Sequence, residues 1–470
     1  MPLETLTSVG SIDGRYRDIA GALSEHFSEY GLIRKRITVE CEYLLALSEA
    51  GVGVRKLTKE EIAILQQLPH ISLEEAAIVK KIEKEGYDGI PATNHDVKAV
   101  EYFIKKKLSG TSLKDISEWT HFALTSEDVN STAYGIALRS ALQSVILPAL
   151  GDIQATLDTL AKEHAGVAML ARTHGQPASP TTFGKEMRVF EKRLERQMKE
   201  LSRPILVKFG GATGNYNAHV AAMPEVDWQE FARNFVARLN VGYKIPLELN
   251  EFTTQIEPHD TYAELFDTMR RANTILLDLS QDMWRYISDG WLAQKAEEGE
   301  IGSSAMPHKV NPIDFENAEG NLGVASALYE HFSRKLPLSR LQRDLSDSTV
   351  ERAFGTAFAH ALVGYTALAR GLKKISVTKE KMLEALQAHP EVISEAIQTV
   401  LRREGVEVPY EKLKELTRGK VVTLEDFAQF IDGLAVADDV KKRLKEFTPE
   451  KYIGLAESIA SANQGSSSHV

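Results

Sequence analysis

Residues 260–291 read DTYAELFDTMRRANTILLDLSQDMWRYISDGW, and this segment says most about the architecture of the chain. Apolar side chains recur in it at alternating spacings of four and three residues, at Leu265, Met269, Ala272, Leu276, Leu279, Met283 and Tyr286. This heptad pattern places the apolar side chains along one stripe of a helix, which we call the first seam. The first seam predicts a long helix that packs lengthwise against other long helices.

A second seam lies upstream, at Leu142, Ile146, Leu150, Ile153 and Leu157. Pro148 lies inside this segment and should bend its helix, because proline lacks the backbone N–H and clashes with the preceding turn. The apolar pattern predicts four further helices, over residues 28–50, 179–203, 312–336 and 344–374. Clusters of glycine and β-branched residues indicate one short extended pair, in residues 204–214 and 243–254. The sequence therefore predicts a mainly α fold with a central bundle of long helices.

The helices are long only in the middle of the chain, which suggests three domains. We predict an N-terminal helical domain (1–112), a central long-helix bundle (113–365) and a C-terminal helical domain (366–470). A helix of thirty residues extends about 45 Å, which is more than one small domain covers. We therefore expect the long helices to pack against those of other copies of the chain.

Composition restricts the class of protein. The 470 residues carry a net charge of −10, so a basic footprint for nucleic acid is missing. Cys41 is the only cysteine, which excludes an intrachain disulfide and a zinc site built from cysteines. We see no run of 18 apolar residues and no signal peptide in the first ten residues. These features favour a cytoplasmic enzyme with no membrane or nucleic-acid partner, in which any anion-binding cations are concentrated locally.

The segment after the first seam is rich in groups that do chemistry. Residues 299–317 read GEIGSSAMPHKVNPIDFEN and should form a loop that leads into a helix. Asn311 suits the N-cap and Pro312 the first helical position, so the positive end of the helix dipole should face Ser303 and Lys309. A serine in that field is placed to become an alkoxide or to face an anion. The alternative is a serine-rich loop that simply caps the helix.

Four other polar clusters lie near predicted helix ends, at residues 93–98, 120–130, 172–177 and 253–260. Each has a structural alternative. Thr93 or Asn94 could cap a helix beside an exposed His95, and Ser126 could be the cap of the next long helix. His174 could be an exposed loop histidine.

Residues 302–312, which read GSSAMPHKVNP, resemble the signature loop of the fumarase/aspartase superfamily. Its members cleave C–N or C–O bonds by elimination and release fumarate or a close relative. The polar clusters at residues 120–130, 172–177 and 253–260 match the other blocks of the superfamily in the same order. Within it, the chain resembles the family of the longer bacterial adenylosuccinate lyases at residues 13–16, 93–102, 214–219, 254–260 and 410–420. The resemblance extends from about residue 8 to 456, and the tail beyond about 457 does not match.

The resemblance implies the fold and the reaction. It implies a three-domain lyase fold whose long helices form the core of a homotetramer, with each active site shared between subunits. It implies a C–N lyase of the amidine-lyase type that needs no cofactor and no metal. The substrates would be nucleotides of purine biosynthesis that carry a succinylamino group, and fumarate would leave by β-elimination.

The resemblance also implies roles for individual residues. Ser303 corresponds to the general base and His174 to the general acid, while Glu316 corresponds to the carboxylate that pairs with this histidine. Lys309 and Asn311 correspond to the groups that hold a substrate carboxylate. The other implied substrate-binding residues are Arg15, Tyr16, Asn94, His95, Asp96, Thr125, Ser126, Gln255, Ser304, Val310, Asn317, Arg343, Ser348, Thr349 and Arg352. Arg340 and Arg343 taken alone would equally fit a solvated helix end.

Three alternatives stay open at the level of sequence. The first is a sibling lyase with a small substrate, in which Arg15, Arg343 and Arg352 would have no reason to act together. The second is a non-enzymatic structural protein on the same fold, as some lens crystallins resemble argininosuccinate lyase. Such a protein could lose Ser303 or His174, and this chain keeps both. The third is a binding scaffold that uses its seams.

Overall fold

The structure is a computed structural model that describes residues 4–295, 306, 310–407, 409–417 and 422–462. Ser303, Ser304 and Lys309 lie outside the described residues. The chain forms two compact units. The first unit contains Met1–Leu150, Arg196–Leu277 and Ala318–Thr366, and the second contains Gly151–Glu195, Asp278–Asn317 and Ala367–Val470. The three-domain division stays a prediction.

Helices make up most of the described chain. As far as residue 163 they are Thr5–Thr7, Arg17–Ala20, Gly21–Leu23, Ser24–Phe27, Glu29–Ala50, Lys59–Gln67, Leu73–Lys84, Asp96–Leu108, Ser112–Trp119, Ser126–Ala141, Leu142–Ile146 and Leu147–Glu163. From there to residue 374 they are Phe183–Glu200, Asn217–Ala222, Trp228–Arg238, Asp260–Ser288, Ile313–Lys335, Ser346–Glu351 and Phe354–Lys374. The last are Lys379–Gln387, Pro390–Ile393, Ser394–Arg403, Pro409–Thr417, Leu424–Asp432, Asp438–Lys445 and Ala456–Ser461.

The strands of the described residues are short and form three two-stranded sheets. Ala168–Thr173 and Gln176–Thr182 make an antiparallel hairpin. Ile205–Val207 and Leu247–Leu249 pair in parallel, which confirms the predicted extended pair. Leu292–Gln294 and Ile375–Val377 pair antiparallel. The mainly α prediction is therefore confirmed, although the hairpin was not predicted.

The first seam lies on the Asp260–Ser288 helix, as predicted, and the helix ends three residues earlier than expected. Six of its seven apolar positions are buried, with exposed fractions of at most 8%, and Tyr286 is half-buried. All five positions of the second seam are fully buried. Because a single chain buries every seam position except Tyr286, the seams alone do not require a second chain. The homotetramer stays a prediction.

The bend expected at Pro148 takes the form of a π turn. Residues Leu142–Ile146 form one π-helical turn, in which the backbone N–H of Leu147 donates to the carbonyl of Leu142. The α-helix resumes at Leu147. A wider turn directly before a proline absorbs the missing hydrogen bond and the ring clash without ending the helix. The second seam therefore continues through the proline.

Two predicted helices need correction. The helix expected over 179–203 begins only at Phe183, because residues up to Thr182 belong to the hairpin, and the Thr182 hydroxyl then accepts from the Lys185 N–H. The helix expected over 344–374 is split into Ser346–Glu351 and Phe354–Lys374 by a turn at residues 352–353.

By length and composition, one helix among the described residues could cross a membrane, Ser126–Glu163. This is weak evidence, because half of its most apolar window is buried inside the protein and core helices pass the same test. Glu127, Asp128 and Arg139 are also buried on this helix. Each is bonded to another part of the chain, to Arg343, Lys208 and the Leu239 carbonyl respectively. These are features of a core helix.

Candidate active site

Each compact unit carries some of the predicted site residues, and the two sets are described separately. In the first unit, the Asp96–Leu108 helix is capped by His95, whose Nδ1 accepts from the Lys98 N–H at 3.2 Å. His95 Nε2 lies 3.1 Å from the Ser126 hydroxyl. Since Nδ1 is an acceptor, a neutral ring carries its proton on Nε2 and donates to Ser126. The histidine itself is therefore the cap here, in place of Thr93 or Asn94.

Ser126 is free to face His95 because its neighbour caps the next helix. Thr125 and Asp128 form a reciprocal capping box, in which the Asp128 carboxylate accepts from the Thr125 N–H at 2.7 Å. Ser126 is then the first residue of its helix, so the alternative in which Ser126 caps this helix is wrong. His95 and Ser126 thus bring together the N-terminal ends of two helices, where partial positive charge favours an anion.

Asp96 lies between two arginines. Its Oδ2 accepts from Arg36 Nη2 at 2.7 Å and from Arg352 Nη2 at 3.1 Å. Burial alone would raise the pKa of Asp96, but Arg36 and Arg352 outweigh it and lower the pKa to about 2. Asp96 is therefore ionised at neutral pH. It fixes one side of the Arg352 guanidinium, while the Arg352 side chain stays 44% exposed.

Arg343 is more buried than Arg352 and lies among more acidic side chains. Its Nη2 lies 2.8 Å from Glu127 Oε1, and its Nη1 lies 3.5 Å from the Gln255 side-chain oxygen. Two further carboxyls, Asp347 and Glu351, are buried in the same region. Burial raises the pKa of Glu127 and of Glu351, and their mutual repulsion adds to it for Glu351. The Arg343 guanidinium is thus already bound by carboxylates in the absence of a ligand.

The remaining predicted residues of the first unit lie at the surface or near it. Arg15 is exposed, and Tyr16 provides the backbone cap of a one-turn helix. Asn94 is exposed and has a positive φ of 48°. Ser348 and Thr349 lie on the short Ser346–Glu351 helix, half-buried and exposed respectively.

In the second unit, His174 lies at the tip of the hairpin. Thr173 pairs with Gln176, so His174 and Gly175 form a two-residue loop, with φ values of 53° and 76°. Two consecutive positive φ angles match the type I′ turn that suits the twist of a hairpin. The turn holds the imidazole exposed at the end of a rigid element.

Glu316 lies in the first turn of the Ile313–Lys335 helix and is exposed. Its Oε1 accepts from the indole N–H of Trp284 at 3.1 Å. Within the described part of the chain, Glu316 and His174 make no hydrogen bond with each other. Their pairing therefore stays a prediction.

The end of the signature loop is anchored. The Val310 carbonyl accepts from the Gln294 side chain at 3.1 Å. The helix starts at Ile313, so Asn311 lies two residues before it and not at the cap position, and the Pro312 carbonyl accepts the first helical bond from the Glu316 N–H. Asn317 is half-buried one residue after Glu316.

A metal site is not evident in this part of the molecule. Among the described residues, no group of three or more His, Cys, Asp or Glu side chains could hold a metal ion. The expectation of a reaction without metal or cofactor stays a prediction.

The sequence analysis assigned no individual role to Arg36, Glu127 or Asn130, although Glu127 and Asn130 lie in the polar cluster at residues 120–130. Asn130 Nδ2 donates to Glu127 Oε1 at 2.9 Å, and Arg36 Nε donates to Asn130 Oδ1 at 2.9 Å. No local pattern singles out Arg36, because the Glu29–Ala50 helix is buried on most sides and also buries Lys35 and Glu40. The structure shows that Arg36 is only 2% exposed.

Comparison with known proteins identifies the family. A family model described as "Lyase" matches residues 14–327, and one described as "Adenylosuccinate lyase C-terminal" matches residues 339–453. The adenylosuccinate lyase of Escherichia coli K12 is 49% identical over 461 residues, covering 97% of this chain and 98% of that protein. That of Dictyostelium discoideum is 48% identical over 468 residues, covering 96% and 97%. The chain belongs to the lyase family and, within it, to the adenylosuccinate lyases.

Solved structures agree on the fold. A fumarate lyase from Mesorhizobium sp. BNC1 superposes with a TM-score of 0.71 over 94% of this chain and 96% of that one, at 18% identity. The 3-carboxy-cis,cis-muconate lactonizing enzyme from Pseudomonas putida gives 0.69 over 94% and 95%, at 19% identity. These likenesses confirm the mainly α lyase fold.

Proposed function

We propose that this enzyme cleaves adenylosuccinate to AMP and fumarate, and that it cleaves the succinyl-carboxamide ribotide of purine biosynthesis in the same way. The observation that carries the proposal is the 49% identity, over nearly the full length, to a lyase named for the first of these substrates. Both substrates contain a phosphate, a ribose and a succinylamino group, so one set of binding residues serves both.

The elimination needs a strong base and an acid with a pKa near neutrality. The proton to be removed lies on the carbon next to a carboxylate and is only weakly acidic. Ser303 takes this proton as an alkoxide, and Lys309 and Asn311 neutralise the carboxylate on which charge develops. His174 protonates the leaving nitrogen, a role that suits an imidazole. The electron pair of the broken C–N bond leaves with the purine nitrogen, and the C=C bond of fumarate forms.

The described residues of the first unit fit the nucleotide end of such a substrate. His95 and Ser126 offer hydrogen bonds where two helix N-termini meet, and Gln255 contacts Arg343. Arg352 keeps a partly exposed guanidinium that Asp96 already orients. Together with Arg15, Tyr16, Ser348 and Thr349, these groups supply the bidentate and hydroxyl contacts that phosphate prefers.

We also propose a cytoplasmic homotetramer whose active sites each take residues from several subunits. Support comes from exposed apolar side chains on the long helices, at Val189, Trp284, Ile313 and Val324, with exposed fractions of 39% to 50%. Large apolar side chains exposed on long helices are suited to bury against another chain. The exposed His174 at the hairpin tip would likewise be available to a neighbouring subunit.

The proposal is tested by following the purine spectrum while the purified enzyme acts on adenylosuccinate, with fumarate measured independently. We expect AMP and fumarate in equal amounts, and the reverse reaction at high product concentrations. Argininosuccinate and aspartate serve as matched substrates of sibling lyases. Fumarate release from either of these, and none from adenylosuccinate by folded protein, would refute the assignment.

A further inference from the structure

A continuous chain of polar contacts connects Arg343 with Arg352. Starting from Arg343, Nη2 lies 2.8 Å from Glu127 Oε1. The same oxygen accepts from Asn130 Nδ2 at 2.9 Å, and Asn130 Oδ1 accepts from Arg36 Nε at 2.9 Å. Glu127 and Asn130 lie on the Ser126–Ala141 helix and Arg36 lies on the Glu29–Ala50 helix, so the Arg36–Asn130 contact joins two helices across 94 residues of sequence.

Arg36 continues the chain toward Arg352. Its Nη2 donates to Asp96 Oδ2 at 2.7 Å, and the same carboxylate oxygen accepts from Arg352 Nη2 at 3.1 Å. Arg36 therefore uses two nitrogens of one rigid, planar group to hold Asn130 and Asp96 at a set separation. Lysine, with a single point charge on a flexible stem, cannot make this two-point contact.

The burial of the Arg36 side chain is unfavourable for the stability of the fold. The side chain is 2% exposed, and its Nη1 is buried with no hydrogen-bond partner among the described residues. Removing a guanidinium from water is costly, and an apolar side chain of similar volume often stabilises such a site better. An unsatisfied buried donor adds to that cost.

We propose that Arg36 is a positioning residue for the phosphate-bearing end of the substrate. It acts on Arg343 through Asn130 and Glu127, and on Arg352 through Asp96. In this way it sets the separation and orientation of the two arginines. The inference rests on the proposed function, because it gives these two arginines a nucleotide to bind. Arg36 contacts neither the substrate nor the reacting atoms in this scheme. It removes the freedom of two long side chains before the ligand binds.

The experiment compares inhibition by the two products, because AMP carries the phosphate and fumarate does not. For Arg36→Met we expect the inhibition constant of AMP to rise about tenfold or more, as for the loss of a charged hydrogen bond. The inhibition constant of fumarate should stay within about twofold of the wild-type value. KM for adenylosuccinate should rise together with the inhibition constant of AMP, while kcat changes much less.

Two further variants make the result specific. Asn130→Leu breaks the chain at a partly exposed position, should shift AMP inhibition in the same direction, and replaces Arg36→Met if that variant does not fold. Arg139→Met is the matched control, because Arg139 is equally well buried in the first unit, at 1% exposed, but bonds to Asn240 and to the Leu239 carbonyl, outside the chain of contacts. It should leave both inhibition constants unchanged.

The outcomes separate the inference from the proposed function. If the wild-type enzyme releases no fumarate from adenylosuccinate, the proposed function fails and this inference falls with it. If the wild type is active, and Arg36→Met either leaves AMP inhibition unchanged or weakens AMP and fumarate inhibition equally, only the positioning role is overturned. An equal effect on both products would assign Arg36 a purely structural role.

Discussion

His174 occupies a backbone position that suits glycine, asparagine or aspartate better than histidine. With φ at 53° in the first position of a two-residue loop, it bears a conformational cost that Asn-Gly or Gly-Gly would avoid. Residues kept in such positions often serve a functional purpose. The chain thus accepts a less favourable turn in order to present an imidazole at the hairpin tip.

A substitution to asparagine separates these two effects. We expect His174→Asn to leave the melting temperature unchanged or slightly raised, because asparagine tolerates a positive φ. The same change should lower kcat by about 10²–10⁴, the usual contribution of a general acid or base. Thermal unfolding and steady-state kinetics on one preparation provide both values. A full loss of activity that accompanies a lower melting temperature would argue against the role of acid.

The two adjacent serines give a second test at the residue scale. Ser303→Ala should lower kcat by a similar 10²–10⁴ if Ser303 is the base. Ser304→Ala is the matched control and should cost much less, since only substrate contacts are lost. Binding of AMP should survive in both variants. Comparable losses of kcat in the two variants would show that the base has been assigned to the wrong hydroxyl.

At the scale of elements, local periodicity was enough to predict the long helices but not the features between them. The heptad of residues 260–291 predicted its helix because each position needs only its neighbours in the same segment. The hairpin was missed because its strands do not alternate polar and apolar residues, and its clearest signal was the single Gly175. The Arg36–Asn130 contact joins residues 94 apart, and no local pattern reports such a pairing.

The short Asn217–Ala222 helix carries a histidine that titrates unusually. His219 is fully buried, with its ring 4.7 Å from that of Trp228 and 5.7 Å from that of Phe209. Burial lowers its pKa to about 4, with Lys208 adding to the effect and Asp128 opposing it. The neutral ring is thus favoured in the folded state, and the unfolded chain takes up the proton first as the pH falls.

The stability contributed by neutral His219 is therefore fully present above pH 6.5 and is lost progressively as the pH falls from 6.5 to about 4. From the two pKa values, the loss between pH 7.5 and pH 4.5 is about 2–3 kcal/mol. His219→Phe should remove this part of the pH dependence. Urea unfolding of both proteins at the two pH values measures it. An identical pH dependence in the variant would show that the buried ring does not titrate in this way.

At the scale of the whole molecule, the proposed catalytic and binding residues lie on widely separated segments of the chain. His174 lies on a hairpin of the second unit, whereas His95 and Ser126 lie in the first. The signature loop around Ser303 follows a different long helix. Residue patterns alone do not connect these segments, so the site prediction rests on the family resemblance and stays a prediction.

Mixing of inactive variants tests whether subunits share sites. His174→Ala and Ser303→Ala proteins, each inactive, should regain part of the wild-type activity once their subunits exchange, because some mixed sites carry neither lesion. Two separately labelled His174→Ala preparations, mixed under the same conditions, control for exchange and should stay inactive. Verified exchange without recovery of activity, or an active monomer in solution, would contradict shared sites.

The closure of both seams within one chain has a consequence for the kinetics of renaturation. Since a single chain buries every seam residue except Tyr286, a denatured chain can acquire its helical core alone, in a first-order process whose rate is independent of concentration. Association would then be a later, second-order step between molecules that are already folded. Circular dichroism should therefore recover at the same rate at nanomolar and micromolar concentrations, while the return of catalysis should slow on dilution.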